Sequence, residues 1–124
     1  MKPNILYIED NDKMLVRRIL GPDSYNLIEC GSGTQGLAIA ESQAIDLILL
    51  DINLPDIDGY EVTRRLRAST KTVLAQTPII VITANAMKGD EQKALAAGCT
   101  VYMSKPINIQ ELLDKVESFV LKEA

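Results

Sequence analysis

Short apolar runs recur along the chain, and segments with helical periodicity separate them. In these segments apolar residues return three or four positions apart, as Val62 and Leu66 do. The clearest apolar stripe comes last, behind Asn108 and Glu111, which have the spacing of a helix N-cap and its third residue. Five strands are therefore predicted to alternate with five helices. The predicted strands are residues 4–8, 25–30, 46–50, 78–82 and 100–103.

This alternation predicts an α/β fold in which helices cover both faces of a parallel sheet. The runs at 46–50 and 78–82 are almost wholly aliphatic, as in strands that are buried on both faces. The runs at 25–30 and 100–103 are mixed and suit the edges of the sheet. The doubly wound order 2-1-3-4-5 satisfies this distribution. It places a ligand crevice between the carboxyl ends of the first and third strands.

Composition and charge narrow the possible functions. The chain has 124 residues, of which 47% are hydrophobic, so we expect one domain over residues 1–124, with residues 69–77 as its longer loop. The formal net charge is −4 and the arginines are scattered among acids, so direct binding of nucleic acid is not expected. No apolar run reaches the roughly 18–20 residues of a membrane span, and the N-terminus lacks a signal-peptide pattern. These features favour a cytoplasmic protein.

Histidine is absent from the chain, and there are two cysteines. The absence of histidine excludes Ser-His-Asp and Cys-His catalysis. Together with the wide separation of the cysteines, it also argues against a zinc site. Cys30 and Cys99 both lie in apolar strand contexts, so we expect buried thiols and no disulfide.

A glycine-rich segment, GSGTQG at residues 31–36, has the G-x-G-x-x-G spacing of a dinucleotide-binding turn. Such a fingerprint belongs to the first strand–helix turn of its binding unit, at the switch point of the sheet. These glycines instead follow the second predicted strand. We therefore interpret the segment as a turn and a helix start, with Ser32 or Thr34 as candidate N-cap, and do not expect NAD binding.

Three carboxylates are expected to meet at the predicted crevice. Glu9 and Asp10 follow the first strand, and Asp51 follows the third. Like charges a few ångströms apart raise one another's pKa or require a cation, and a cluster of hard oxygens suits Mg²⁺. A single acid at a strand end is usually solvated or caps a helix. Three at one switch point favour a metal site.

Two further strand ends are typical of phosphoryl binding. Thr83 follows the fourth strand, and Lys105 follows the fifth, just before Pro106. A hydroxyl and an ammonium beside an acidic metal site can donate to phosphoryl oxygens and neutralise their charge. Taken singly, each is more often a local hydrogen-bonding threonine or a solvated lysine. A cis Lys105-Pro106 bond, which would aim the lysine inward, is left open because X-Pro bonds have a small trans preference.

Together these segments resemble the receiver domain of two-component response regulators, and the resemblance covers essentially the whole chain. It implies a flavodoxin-like receiver fold in which Asp51 accepts a phosphoryl group from a histidine kinase or a histidine phosphotransfer protein. Mg²⁺ would be held by Asp10, Asp51 and the backbone carbonyl of Asn53, with Glu9 acting through water. The matching segments are Glu9-Asp10-Asn11, LILLDINLPDIDG at 47–59, VITANAMKGDE at 81–91 and YMSKPI at 102–107.

The resemblance also implies a switch. Thr83 and Lys105 would hold the phosphoryl oxygens, and Tyr102 would be the aromatic residue whose rotamer follows Thr83. The alternative for Tyr102 is an edge-strand aromatic packed on the last helix. The protein would be a single-domain phosphoacceptor that assists its own phosphorylation and dephosphorylation without being an enzyme. Its downstream protein target would be reached through the fourth helix, which Met87, Lys88 and Gly89 open, the fifth strand and the fifth helix.

Two alternative functions remain open. A pseudo-receiver would be a folded interaction module that is never phosphorylated, and the presence of Asp10, Asp51, Thr83 and Lys105 argues against it. An aspartyl-phosphate phosphatase of the haloacid dehalogenase kind also uses an Asp after a hydrophobic strand. Asn53, however, stands where that class has a second acid, and a chain of this length has no room for a cap domain.

Overall fold

The computed structural model describes residues 2–11, 13–21, 23–84 and 89–120. These residues form five strands and six helices. In chain order they are β1 Asn4–Ile8, α1 Met14–Ile19, β2 Asn26–Cys30, α2 Gly33–Ser42, β3 Leu47–Asp51, α3 Gly59–Arg67, α4 Thr72–Ala75, β4 Ile79–Thr83, α5 Asp90–Ala97, β5 Val101–Ser104 and α6 Ile109–Val120.

The strands form one parallel sheet with the order β2-β1-β3-β4-β5. Every residue of β3 and β4 is buried, whereas β2 and β5 each contain exposed or half-buried positions. Helices cover both faces of a parallel sheet, so its central strands need apolar side chains on both sides. The predicted strand order and the predicted edge strands are confirmed.

Alternate residues of each strand contribute to two separate cores, because successive side chains point to opposite faces of the sheet. One core packs the sheet against α2, α3 and α5, and it includes Leu6, Leu50, Val62, Val81 and Ala94. The other packs the opposite face against α1 and α6, and it includes Ile5, Val16, Leu49, Ile82, Leu112 and Val116. The two cores fix which side of the sheet each helix covers.

One helix of the structure was not predicted. Residues 69–77, which were expected to form a loop, contain the single-turn helix α4. Its Leu74 is buried in the core, and its Val73 is 79% exposed. A four-residue helix is too short to show a helical period in the sequence. The predicted fourth and fifth helices are therefore α5 and α6.

The predicted helix starts can be compared with the observed ones. The side chain of Ser32 accepts a hydrogen bond from the Gln35 amide (3.2 Å), so Ser32, and not Thr34, is the N-cap of α2. Asn108 accepts a hydrogen bond from the Glu111 amide (2.8 Å) at the start of α6, as predicted. Met87 and Lys88 lie outside the described residues. Gly89 precedes α5 with a φ of 90°, a conformation that favours glycine.

The two cysteines differ in burial. Cys99 is buried, and burial raises the pKa of its thiol to about 11. Cys30 is only half-buried, so the expectation of a fully buried thiol is wrong at this position. Both thiols are free, as predicted.

Arg67, the last residue of α3, joins three segments at the amino edge of the sheet. Its Nε donates to the carbonyl of Gly98 (2.7 Å), at the end of α5. Its Nη1 donates to the carbonyls of Ala75 (3.1 Å) and Thr77 (2.6 Å), and its Nη2 donates to the hydroxyl of Thr100 (3.2 Å). The guanidinium thus supplies hydrogen-bond donors to backbone carbonyls in the segments that precede β4 and β5.

Within the described residues, each helix is too short or too polar to span a lipid bilayer.

Gly59, the first residue of α3, lies directly against the backbone at the end of β3. A Cβ at position 59 would lie 2.8 Å from Ile52 Cα and 2.9 Å from the carbonyl oxygen of Asp51. Backbone atoms cannot yield as a flexible side chain can, so Gly59→Ala is expected to lower the free energy of unfolding by about 1–3 kcal/mol. Urea denaturation measures the change.

Gly21 provides the matched control, because a Cβ built there meets no atom of the described residues within 4 Å. Gly21→Ala should change the free energy of unfolding by less than about 0.5 kcal/mol. Equal stability of the two alanine variants would contradict the close contact at Gly59.

Candidate functional site

Three carboxylates meet at the carboxyl edge of the sheet. Glu9 and Asp10 follow β1, Asp51 is the last residue of β3, and one oxygen from each lies within 4.8 Å of the others. Glu9 and Asp51 are only 1% and 3% exposed, whereas Asp10 is exposed. Since β1 and β3 are hydrogen-bonded neighbours, the parallel sheet itself holds these acids together.

Lys105 lies among these acids. Its Nζ is 2.9 Å from Glu9 Oε1 and 3.6 Å from Asp51 Oδ2. The backbone places it there, because the Lys105 amide donates to the carbonyl of Thr83 (2.7 Å) directly after β5. The Lys105-Pro106 peptide bond is cis, which is the alternative that the sequence left open.

The protonation of the cluster follows from burial and from Lys105. Burial raises the pKa of Asp51 to about 6, and the shared hydrogen bond with Glu9 adds to the increase. Burial also acts to raise the pKa of Glu9, but its hydrogen bonds with Asp51 and Lys105 lower that pKa overall. Burial acts to lower the pKa of Lys105, and the two carboxylates more than reverse this effect. Glu9 and Lys105 therefore form an ion pair, while Asp51 retains an uncompensated tendency to take up a proton.

Thr83 and Tyr102 lie on the two strands beyond β3. Thr83 is buried at the end of β4. Tyr102 on β5 is half-buried and packs on the core beneath α2, α3 and α5, whereas α6 packs on the opposite face with Met103. The alternative that placed Tyr102 on the last helix is therefore wrong. Its hydroxyl is buried and has no hydrogen-bond partner among the described residues.

Asn53 lies at the start of the loop that joins β3 to α3. Its amide donates to Asp51 Oδ1 (3.0 Å), and its side chain is exposed. The loop is closed by a hydrogen bond from the Gly59 amide to the carbonyl of Ile52 (2.9 Å). Asn85, which also flanks the site in sequence, lies outside the described residues.

Tyr7 also lies at the site and was not predicted from the sequence. Its buried hydroxyl is 3.5 Å from Glu9 Oε1, and it is the donor of this weak contact. Burial, followed by the charge of Glu9, raises the pKa of the phenol. The two residues are separated by one position in extended chain, so they share a face of the strand, and this spacing was a usable signal.

The role of Asp56 was not predicted from the sequence either. The carboxylate of Asp56 accepts hydrogen bonds from the amides of Gly33 (2.9 Å) and Thr34 (2.8 Å), within the glycine-rich segment. The segment follows the edge strand β2 and not β1 or β3, and the amides of Gly33 and Thr34 are taken by a carboxylate of the same chain. No short-range signal links residues so far apart in sequence.

Comparison with known protein families identifies the family of the chain. The family model described as the response regulator receiver domain matches residues 5–117 of the chain. The chain belongs to this family. It is thus a receiver domain of two-component signalling, a family of signalling switches that are generally not catalytic enzymes.

The relatives agree with this assignment. The polar-differentiation response regulator DivK of Brucella ovis is 36% identical over 122 residues, which covers 97% of this chain and 98% of DivK. The magnesium-containing receiver domain of the sensor histidine kinase PA1611 from Pseudomonas aeruginosa is 34% identical, with a TM-score of 0.87 over 98% of this chain and 100% of that one. The receiver domain of Ssk1 from Saccharomyces cerevisiae, solved with the histidine phosphotransfer protein Ypd1, is 26% identical, with a TM-score of 0.88 over 99% of this chain and 92% of that one.

The raised pKa of Asp51 leads to a stability prediction. Between about pH 4 and pH 6 the folded state binds the Asp51 proton more tightly than the unfolded state, so the free energy of unfolding falls as the pH rises through this window. Asparagine carries no charge. We expect Asp51→Asn to raise the free energy of unfolding by about 1–3 kcal/mol at a pH of about 7.5 without Mg²⁺, and to change it little at a pH of about 4.

Urea denaturation in EDTA at both pH values measures this difference. Asp46 supplies the control, because its carboxylate accepts a hydrogen bond from the Asn4 amide (2.8 Å) at the opposite edge of the sheet. Asp46→Asn should not stabilise the protein at either pH. A wild-type protein that is as stable as Asp51→Asn at the higher pH would show that Asp51 is not destabilised by its neighbours.

Proposed function

We propose that the chain is a phosphorylation-controlled switch in which Asp51 accepts a phosphoryl group in an Mg²⁺-dependent reaction. The donor is the phosphohistidine of a histidine kinase or of a histidine phosphotransfer protein. The observation that carries the proposal is the buried Asp51 carboxylate, held beside Lys105 within the acidic cluster. Membership of the receiver family supports it.

The donor set suits Mg²⁺, which prefers carboxylate and carbonyl oxygens and keeps several waters. Asp10, Asp51 and the backbone carbonyl of Asn53 would hold the ion, with Glu9 acting through water. When bound, Mg²⁺ supplies the positive charge that offsets the clustered acids and the phosphoryl oxygens. The magnesium ion in the active site cleft of the PA1611 receiver domain supports this assignment.

Asp51 is the nucleophile of the proposed reaction. Its Oδ1 already accepts a hydrogen bond from the Asn53 amide, so Oδ2, which faces Lys105, is the oxygen placed to form the new P–O bond. As that bond forms, the P–N bond to the donor imidazole breaks, and the imidazole leaves with its electron pair. An ionised carboxylate is already nucleophilic, so no general base is needed.

Lys105 would exchange partners during the reaction. Its Nζ is closer to Glu9 than to Asp51 in the structure. A phosphoryl group on Asp51 brings further anionic oxygens to the side of the lysine that faces Asp51, and these form strong charge-assisted hydrogen bonds with an ammonium. Thr83, at the end of the neighbouring strand, would donate its hydroxyl to the same group.

The switch would then act on Tyr102. Movement of Thr83 toward the phosphoryl group changes the space beside β5, and the buried Tyr102 hydroxyl, which lacks a partner among the described residues, has no hydrogen bond to lose. A local change of charge thus biases a two-state element. The signal would pass to a downstream protein through α5, β5 and α6.

The phosphodonor would dock around the rim of the site, because Asp51 is buried at the carboxyl edge of the sheet. Two apolar side chains on α1, Met14 and Leu15, are 49% and 41% exposed beside this edge. Leu15 also lines an open pocket of about 280 Å³ together with Lys105, Pro106 and Ile107. The complex of the Ssk1 receiver domain with Ypd1 is a related pairing. We place the exchange in the cytoplasm.

Phosphorylation of Asp51 can be tested directly. Incubation with Mg²⁺ and phosphoramidate should add the mass of one phosphoryl group to the intact protein, and EDTA should prevent the addition. Asp51→Asn should abolish it because the amide is not a nucleophile, whereas Asp46→Asn, at the far edge of the sheet, should label as wild type does.

The outcomes separate the alternatives. Labelling of Asp51→Asn would show that the acceptor is a different residue. A wild-type protein that is never labelled, either by phosphoramidate or by a phosphorylated histidine phosphotransfer protein, would favour the pseudo-receiver.

The role of Lys105 gives a second test. Lys105→Ala should still bind Mg²⁺, but it loses a charge-assisted hydrogen bond of about 1.5–3 kcal/mol, so phosphoramidate labelling should slow about 10- to 100-fold. Once labelled, the variant should show smaller amide NMR shifts in α5 and β5 than wild type.

Lys71→Ala is the matched control, because Lys71 Nζ donates to the carbonyl of Glu41 (2.7 Å), far from the acids. Lys71→Ala should label at the wild-type rate. Wild-type labelling and wild-type shifts in Lys105→Ala would contradict the role assigned to the lysine.

A further inference from the structure

The β3–α3 loop, residues 52–58, is fastened to the start of α2 by one carboxylate. Asp56 Oδ1 accepts a hydrogen bond from the Gly33 amide (2.9 Å), and Asp56 Oδ2 accepts one from the Thr34 amide (2.8 Å). The hydroxyl of Thr34 also donates to Asp56 Oδ2. Asp56 therefore connects a loop that leaves the candidate site to a helix that begins beyond the edge strand.

The chemistry of a helix N-terminus explains this contact. The first amides of a helix lack partners within the helix, and the positive end of the helix dipole favours an anion. In α2, the amide of Gln35 is capped by Ser32, and the two preceding amides are those that donate to Asp56. The hydrogen bonds from Thr34 hold the pKa of Asp56 well below its usual range, so the carboxylate is charged at neutral pH.

An apolar contact strengthens the attachment. A Cβ at Gly33 would lie 2.6 Å from Ile57 Cγ1 and 2.8 Å from Val62 Cγ2, so the backbone of α2 lies directly against the loop and α3. Ile57 itself packs on the core beneath α2 and α3. The loop is thus held at its tip by Asp56 and Ile57, and at its base by the hydrogen bond from Gly59 to Ile52.

Between these attachments lies Asn53, whose backbone carbonyl belongs to the proposed metal site. We propose that Asp56 is a positioning residue for this site, because its bonds to Gly33 and Thr34 fix the loop that carries the Asn53 carbonyl. The inference rests on the proposed function for the metal, and it adds a residue that does not itself touch the ion. Its effect is on Mg²⁺ affinity, and it leaves the nucleophile unchanged.

The test compares Asp56→Asn with wild type in two measurements. In the metal-free protein, amide hydrogen exchange at Gly33, Thr34 and Asn53 should accelerate, because the neutral amide is a weaker acceptor at the helix N-terminus. In an NMR titration with MgCl₂, the dissociation constant should rise by about 10-fold, as is typical when a residue that orients a metal ligand is lost. Phosphoramidate labelling should approach the wild-type rate at saturating Mg²⁺, since Asp51 is intact.

Two further variants make the test specific. Thr34→Val removes the hydroxyl bond but keeps the amide bond, so it should weaken Mg²⁺ binding in the same direction by a smaller factor. Asp46→Asn breaks a comparable carboxylate–amide bond between other segments, and it should leave the Mg²⁺ dissociation constant within about twofold of wild type.

The inference is overturned if Asp56→Asn keeps the wild-type Mg²⁺ dissociation constant, whether or not its loop exchanges faster. It is also overturned if Asp46→Asn weakens Mg²⁺ binding equally. Failure of the proposed function has a different signature, in which wild type binds Mg²⁺ but is never phosphorylated, and that result leaves the metal-site role of Asp56 standing. Wild type that binds no Mg²⁺ overturns both.

Discussion

The candidate site depends on the sheet holding several carboxylates close together at its carboxyl edge, although their negative charges repel one another. Glu9 and Asp51 are almost fully buried, and Lys105 supplies the cation within reach of both. The acids stay together because the hydrogen bonds of β1 to β3 fix their backbones, at a cost in stability that shows as the raised pKa of Asp51. A cation that binds among these carboxylates would reduce their repulsion and so stabilise the folded protein. The site's affinity for a cation and its tendency to take up a proton thus have one physical origin.

The loop that follows Asp51 is also fixed in place, by hydrogen bonds and close backbone packing. Gly59 allows the chain to close back on Ile52, and Asp56 fastens the tip of the loop to α2. The glycine-rich segment at 31–36 therefore does act as an anion site, and the anion is part of the protein. The glycine spacing of this segment resembles a dinucleotide fingerprint for the same physical reason. In both cases glycines let an anionic group come close to the free amides of a helix N-terminus.

Most of the fold could be predicted from the sequence, because the central strands of a parallel sheet are buried on both faces and are therefore almost wholly aliphatic. The aliphatic runs of β3 and β4 identify the centre of the sheet, and the order of the strands then places Glu9, Asp10 and Asp51 at one edge. Three features could not be predicted. Helix α4 is a single turn without a visible period, the bond from Asp56 to α2 is non-local, and the pattern of β5 does not say which of its faces α6 covers. Alternation does place Tyr102 opposite Met103, but only the packing of α6 assigns the faces.

The bonds of Arg67 restrict how the molecule can respond to events at its site. They hold the Gly98 end of α5 to α3 and to the segments that precede β4 and β5, all at the edge of the sheet opposite the acids. At its other end, α5 begins after Gly89, which has a left-handed backbone conformation. Arg67 thus acts as a fixed pivot for the carboxyl end of α5, so any displacement of this helix would be smallest at Gly98.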